Sequence, residues 1–386
     1  MNVLFLAEFC IEPSVGGIQR VTDSLAKELT KRGYSVFFLS VKWGPFISNF
    51  KTSVPQFYID IEHASDWKYQ VEKIIKENQI TLVINQMPGK LTNHLLRELS
   101  IDVKVISVFH TQPFLNDCIT RRQILRFRVY NLKQRCFKII SYVFPSVRKR
   151  LIGKFEVRNI LDTLGVSNKV CFISERFFSR VLKHIPEFPK DKLIAINNPN
   201  TFIGSVNFDC KKNQILWVGR VENGIKNTID FVKIWEKLYL LNPDWHALIA
   251  GDGSDLPQIK KYVNKKAIKN IDLIGRCDNI ESLYQQSKII VVTSFSESWN
   301  MALTEGMAYG CVPCAYDTYE TVHDIISKEN GILSKPIPRE MAKKIQKLIS
   351  NEELCKDMSK KAGESVKRYS VERIVDQWID LFHSIL

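Results

Sequence analysis

Glu297 and Glu305, separated by seven residues, are the side chains of this sequence best spaced to do chemistry together. They stand on the stretch Lys288 to Pro313, KIIVVTSFSESWNMALTEGMAYGCVP. Its opening run, Ile289-Ile290-Val291-Val292-Thr293, is apolar and β-branched, the pattern of a buried parallel strand. Ser294 to Ser298 reads as a polar turn. Asn300 offers an N-cap and Gly310 a stop, which predicts a helix over Met301 to Tyr309 with Leu303 and Met307 on its buried face. Glu297 then sits in a strand-to-helix turn and Glu305 inside the helix. The free N–H groups at that helix start, around Asn300, Met301 and Ala302, suit an anionic phosphate. Two carboxylates flanking such a site can hold sugar hydroxyls by charge-assisted hydrogen bonds. Taken alone, the pair is better explained as surface glutamates on an ordinary βα unit; the neighbouring motifs shift the balance.

Arg220 and Lys226 follow a second apolar run, Gln214 to Val218. Two cations near one strand end can neutralise a diphosphate leaving group. Gly16-Gly17 lies between a first strand, residues 2 to 9, and a helix, Ile18 to Arg32, where a glycine pair lets backbone approach a ligand. His110 ends the strand Val103 to Phe109; spacing alone favours a hydrogen-bonded structural histidine there. Cys311-Val312-Pro313-Cys314 is formally C-x-x-C. It has no second pair and no nearby histidine, and a metal or redox role is not expected.

The elements that must position these residues alternate strand and helix through the whole chain. After the first strand and helix come strands at Ser35 to Val41, Thr81 to Asn85, Val103 to Phe109, Lys169 to Ser174 and Lys192 to Ile196. A polar, Pro- and Gly-bearing segment near 198 to 212 marks a boundary. Strands then recur at Gln214 to Val218, His246 to Ala250, Ile271 to Ile274 and Val312 to Ala315, and helices at Pro336 to Asn351 and Glu353 to Tyr369. This is the pattern of doubly wound α/β sheets, where ligands collect outside the carboxyl ends of the strands.

A chain of 386 residues exceeds one typical core and fits two domains. No apolar run reaches the roughly 18 residues that span a bilayer. The N-terminus reads as a strand and not a signal peptide, and nine scattered cysteines favour reduced thiols in a cytoplasmic setting. Of the net charge of +14, the stretch Arg121 to Arg158 carries +11, with twelve Lys or Arg against the single acid Glu156. Aromatic and aliphatic residues interleave the charges, as in basic amphipathic helices that dock on anionic membranes. A solvated helix face is the plainer explanation. Nucleic-acid binding is not expected, since no helix-turn-helix, zinc-finger or RNP-like pattern accompanies the patch.

The E-x7-E spacing, with Ser294, Gly310 and Pro313 around it, resembles the signature of retaining glycosyltransferases of GT-B fold, the "glycosyl transferases group 1" family. Ser298 stands where that family usually has Gly, and Asn300 where Gly or Pro is frequent. Val218-Gly219-Arg220 with Lys226 resembles the family's VGR…K motif, with an interval one or two residues longer than in many members. Gly251-Asp252-Gly253 resembles its GDG turn, and Asn330 to Leu333 its closing NGIL. The resemblance covers almost the whole chain. It is sparse between about 45 and 80 and across 112 to 165, where the family reads its acceptors.

The resemblance implies two Rossmann-like domains with a cleft between them. The domains would be an acceptor-side domain over 1–198, a nucleotide-sugar domain over 199–369, and a helix over 370–386 crossing back to the first. It implies transfer of a sugar from a nucleotide sugar, UDP-linked ahead of GDP-linked, to a hydroxyl of a glycan or lipid-linked acceptor, with retention and without a metal or other cofactor. Glu297 would hold the donor sugar and Glu305 the ribose. Arg220, Lys226 and the helix start at Asn300, Met301 and Ala302 would meet the diphosphate. Arg276 would lie at the nucleobase, Gly16 and Gly17 near the diphosphate and acceptor, and His110 near the donor sugar. The expected setting is the cytoplasm, peripheral on the inner membrane face through Arg121 to Arg158. The alternatives are a basic nucleic-acid-binding protein without catalysis, or another GT-B activity such as a nucleotide-sugar epimerase or a phosphorylase.

Overall fold

The protein is described from a computed structural model covering residues 1–14, 16–42, 52–115, 124 and 132–386. In chain order the elements are β1 (Asn2–Ala7), α1 (Gly17–Lys31), β2 (Ser35–Ser40), β3 (Gln56–Tyr58), α2 (Trp67–Glu77), β4 (Leu82–Asn85), α3 (Lys90–Glu98) and β5 (Lys104–Phe109). Then come α4 (Leu132–Val143), α5 (Pro145–Leu164), β6 (Lys169–Phe172), α6 (Phe178–His184) and β7 (Leu193–Ala195). After these follow β8 (Lys212–Val218), α7 (Thr228–Trp235), β9 (His246–Ala250), α8 (Leu256–Lys265), β10 (Ile271–Gly275), α9 (Ile280–Gln286), β11 (Ser287–Val292) and α10 (Met301–Ala308). The chain closes with β12 (Val312–Tyr316), α11 (Val322–Ile325), β13 (Ile332–Ser334), α12 (Pro338–Ile349), α13 (Glu352–Val366) and α14 (Val371–Ile385).

These form two bodies, one of residues 1–114, 150–201 and 369–386, the other of 115–149 and 202–368. The first holds a seven-stranded sheet in the order β3-β2-β1-β4-β5-β6-β7, the second a six-stranded sheet in the order β10-β9-β8-β11-β12-β13. Every strand pair is parallel. Both are doubly wound Rossmann-like sheets, because parallel neighbours need a crossover and helices on both faces leave the strands buried. All of β11 and β12 is buried for this reason.

In the first body, Val21, Leu25 and Leu29 recur every four residues and form the buried face of α1. Helix α14 packs on α1. Tyr34 meets Phe382 edge-on, with ring centroids 6.2 Å apart, and Arg32 pairs with Asp376 at 3.0 Å. In the second body Trp217, Trp235, Ile249, Val291, Tyr316 and Ile345 share one apolar core. Lys211 is buried there. Its ammonium donates to the carbonyls of Tyr284, Gln285 and Ser287 at 2.9, 3.1 and 2.8 Å, satisfying carbonyls at the end of α9 that the helix itself leaves open.

Several elements differ from their sequence-based spans. β1 ends at Ala7, two residues before Phe9, and β11 begins at Ser287, two before Ile289. Helix α6 is preceded by a short 3-10 turn, Glu175–Phe177, that runs directly into it. Of the basic stretch Arg121 to Arg158, residues 121–123 and 125–131 lie outside the described residues, as does Val15 of the glycine turn. The described remainder forms α4 and α5. Arg148 is buried and so is not available to a surface, while Lys149, Arg150 and Lys154 are exposed. Among the described residues no helix is long and apolar enough to cross a membrane.

Candidate active site

In the second sheet the chain winds outward from β8 to β10 in one direction and from β11 to β13 in the other. The switch point therefore lies between β8 and β11, and a doubly wound sheet binds its ligand beyond the carboxyl ends at that point. Arg220 and Lys226 follow β8; Glu297 and Asn300 follow β11.

The two loops are tied together. Phe295 N donates to Ile225 O at 2.8 Å, and Thr293 Oγ1 donates to the carbonyls of Lys226 and Asn227 at 3.2 and 3.0 Å. Asn227 turns the chain in the left-handed region at φ 52° and donates from Nδ2 to Thr293 O at 3.1 Å. Glu222 accepts from the backbone amides of Ile225 and Lys226 at 3.2 and 3.3 Å, closing the loop that carries the lysine. The result is a two-pronged ion pair: Lys226 Nζ lies 2.7 and 2.9 Å from the two carboxylate oxygens of Glu297. Ser294 Oγ donates to Glu297 Oε1 at 2.6 Å. The carboxylate is 9% exposed and the lysine 30%, so the pair is largely withdrawn from water yet open on the lysine side.

Asn300 caps α10, its side chain accepting from Leu303 N at 3.0 Å. Met301 and Ala302 open that helix, and the first amides of a helix have no partner within it. Glu305 lies on the same helix, 2% exposed, and accepts from Tyr284 OH at 2.8 Å. Gly310 ends the helix at φ +76°.

The ends of β8, β9 and β10 are also joined. Val221 N donates to Asp252 O at 2.9 Å, Asp255 N to Val221 O at 3.2 Å, and Gly251 N to Gly275 O at 2.7 Å. A Cβ on Gly251 would fall 1.8 Å from Gly219 O, and one on Gly253 2.3 Å from Val221 O. That contact explains both glycines of the GDG turn. Arg220 and Arg276 are exposed at the ends of β8 and of the edge strand β10.

In the first sheet the switch point lies between β1 and β4. Gly16, the extended N-cap of α1, and Gly17, its first residue, follow β1. His110 follows β5, and its Nε2 lies 2.5 Å from Oε1 of Gln86, which follows β4. Burial holds the imidazole down to about 4, with the Asn198 side chain pulling weakly the other way. His110 is thus a neutral ring at ordinary pH.

Cys311 and Cys314 are both turned into the core; the Cys311 thiol donates to Tyr284 O and Ser287 O at 3.2 and 3.1 Å. Sequence reasoning singled out none of Gln86, Glu222 and Asn227. Gln86 had a signal in its place at a strand's carboxyl end beside that of His110. The others act through loop geometry that no spacing reveals.

The model of the family "Glycosyl transferases group 1" matches residues 200–365, and that of "Glycosyltransferase Family 4" matches residues 15–198. The chain is a glycosyltransferase whose C-terminal half carries the group 1 domain. Among its curated relatives is an uncharacterized glycosyltransferase of Haemophilus influenzae, 25% identical, with 95% of this chain aligned to 96% of that one. A second is the Campylobacter jejuni GalNAc-alpha-(1->4)-GalNAc-alpha-(1->3)-diNAcBac-PP-undecaprenol alpha-1,4-N-acetyl-D-galactosaminyltransferase, 24% identical over 96% of each chain. Among solved structures, Anabaena HepE in complex with UDP-glucose superposes with a TM-score of 0.72 at 14% identity, covering all of both chains. S. aureus TarM in complex with UDP and alpha-GlcNAc-glycerol gives 0.70 at 14% identity, covering 99% of this chain and all of that one. These structures share the GT-B fold with this glycosyltransferase.

Proposed function

We propose that the protein transfers a sugar, with retention, from a UDP-sugar to a hydroxyl of a lipid-linked or cell-envelope glycan. The observation that carries this reading is the Lys226–Glu297 pair at the switch point, beside the capped start of α10. A carboxylate held by one ammonium and one hydroxyl keeps acceptor capacity for sugar hydroxyls. When the donor arrives, Lys226 shares its charge with the diphosphate, together with Arg220 and the amides of Met301 and Ala302. Glu305, fixed by Tyr284, holds the ribose, and Arg276 lies by the base. In the first body Gly16, Gly17 and His110 serve the donor and acceptor. Charge on the leaving diphosphate is met by these cations and amides, with no metal.

The undecaprenol-linked acceptor in the name of the Campylobacter relative supports a lipid-linked acceptor. So does α5, where Leu151 (62% exposed) and Phe155 (73% exposed) alternate along the helix with the exposed cations Arg150 and Lys154. Exposed apolar side chains among cations fit an anionic bilayer surface. The reading is tested with a panel of UDP- and GDP-sugars, scored by nucleotide release with and without membrane lipids, and with the anomeric configuration of the product read by NMR. Release from a UDP-sugar with a retained anomer is the expected result. An inverted product would refute retention, and release from GDP-sugars alone would refute the donor.

A further inference from the structure

The loop after β12 runs beside the Glu297 loop. Thr318 Oγ1 donates to Ser294 O at 2.7 Å, and Ser294 in turn holds Glu297. The next residue, Tyr319, is 4% exposed, and its hydroxyl has no hydrogen-bond partner among the described residues. A phenol buried in this way normally finds a partner, because an unmade hydrogen bond costs its full desolvation. Phenylalanine would fill the same space without that cost.

From this juxtaposition we infer that the Tyr319 hydroxyl is a specificity-determining group for the donor, completing its hydrogen bond with a hydroxyl of the sugar that Glu297 holds. The inference rests on the glycosyltransfer reading above and adds to it which residue reads the sugar. The chemistry suits the role. Burial, and then the nearby Glu297 charge, push the phenol well above its ordinary range, so it stays protonated and can donate. Glu297 can only accept. A donor and an acceptor side by side can distinguish the two orientations of a sugar carbinol, which a carboxylate alone reads less sharply.

The test is Tyr319→Phe in the full chain, with UDP-glucose, UDP-galactose, their N-acetylated forms, the matching GDP-sugars and singly deoxygenated donors. With the preferred donor, kcat/KM should fall by about 3- to 10-fold, the range of one neutral hydrogen bond. One deoxygenated donor should lose as much with the wild-type protein and nothing further with the variant. Affinity for free UDP should be unchanged, and the melting temperature of the ligand-free variant unchanged or higher. Wild-type rates and ranking across the panel would overturn the inference and leave the glycosyltransfer reading standing. A lowered melting temperature would overturn it too, because the hydroxyl would then have a partner within the protein. No nucleotide release by the wild-type protein from any donor would remove the reading itself, and the inference with it.

Discussion

The Lys226–Glu297 pair predicts an asymmetry between two alanine substitutions. Lys226→Ala leaves a carboxylate that is 9% exposed with Ser294 as its remaining side-chain donor. Glu297→Ala leaves an ammonium that is 30% exposed on a flexible stem and can turn to water. A hydrogen bond to a charged group contributes about 1.5–3 kcal/mol, and a stranded buried charge adds to its loss. Lys226→Ala should therefore cost about 2–3 kcal/mol and Glu297→Ala about 1 kcal/mol. At roughly 2–4 °C per kcal/mol for a body of this size, the melting temperature should drop by about 4–12 °C and 2–4 °C respectively. The double variant should be no less stable than Lys226→Ala, since it removes the stranded charge. Activity should run the other way: Glu297→Ala loses on the order of 100- to 1,000-fold in turnover while staying folded. Calorimetry and urea titration of the three variants, beside nucleotide-release kinetics, measure all of this. If Glu297→Ala were the more destabilising, or if the double variant lost the sum of the two, the pair would not exist in solution. Unchanged turnover in folded Glu297→Ala would refute its role at the donor sugar.

His110 makes stability depend on pH in a definite direction. Its folded value of about 4 lies below the ordinary 6.5, so the unfolded chain binds the proton first. Its contribution is intact above 6.5 and is lost as pH falls toward 4, with a ceiling of about 3 kcal/mol, and His110→Gln should flatten that part of a urea-unfolding profile. Gly251→Ala, which combines φ +145° with a Cβ 1.8 Å from Gly219 O, should lose several kcal/mol, whereas Gly33→Ala, at φ +86° in open space, should lose only about 1 kcal/mol; chemical denaturation separates them. Flotation with anionic vesicles should fall steeply between about 0.05 and 0.5 M salt, and charge reversal at Lys149, Arg150 and Lys154 should weaken it while sparing turnover on a soluble acceptor analogue. Binding to DNA or RNA in a gel shift, with vesicles ignored, would refute the membrane role.

The sheets were legible because buried parallel strands are uninterrupted β-branched runs, and β11 and β12 stand out against their surroundings. The three residues of β3 lacked that signal: an edge strand needs little apolar character, and its Gln56, Phe57 and Tyr58 are only partly buried. Helices α2 and α8 are amphipathic but polar on average, and their turns were hidden among lysines and glutamines. At the site, spacing brought out Glu297 and Arg220 because both close a strand. The pairing of Lys226 with Glu297 could not be read from spacing, because it depends on Asn227 turning left-handed and on Glu222 closing the loop behind it. The turn of Arg148 into the body depends on how its helix packs, which charge counting ignores.

The placement of α14 has a consequence for how the protein is made. Arg32 and Tyr34 close the end of α1, yet Asp376, the partner of Arg32, lies 344 residues further along the chain, and Phe382, the partner of Tyr34, lies beyond it on the same helix. At about 5–20 residues per second, roughly 10–30 s separate the emergence of Thr201 from that of α14. Through that interval the nascent first body carries a bare helix face while residues 202–368 of the second body are being synthesised. The first body thus cannot be completed until the intervening residues of the second have been made.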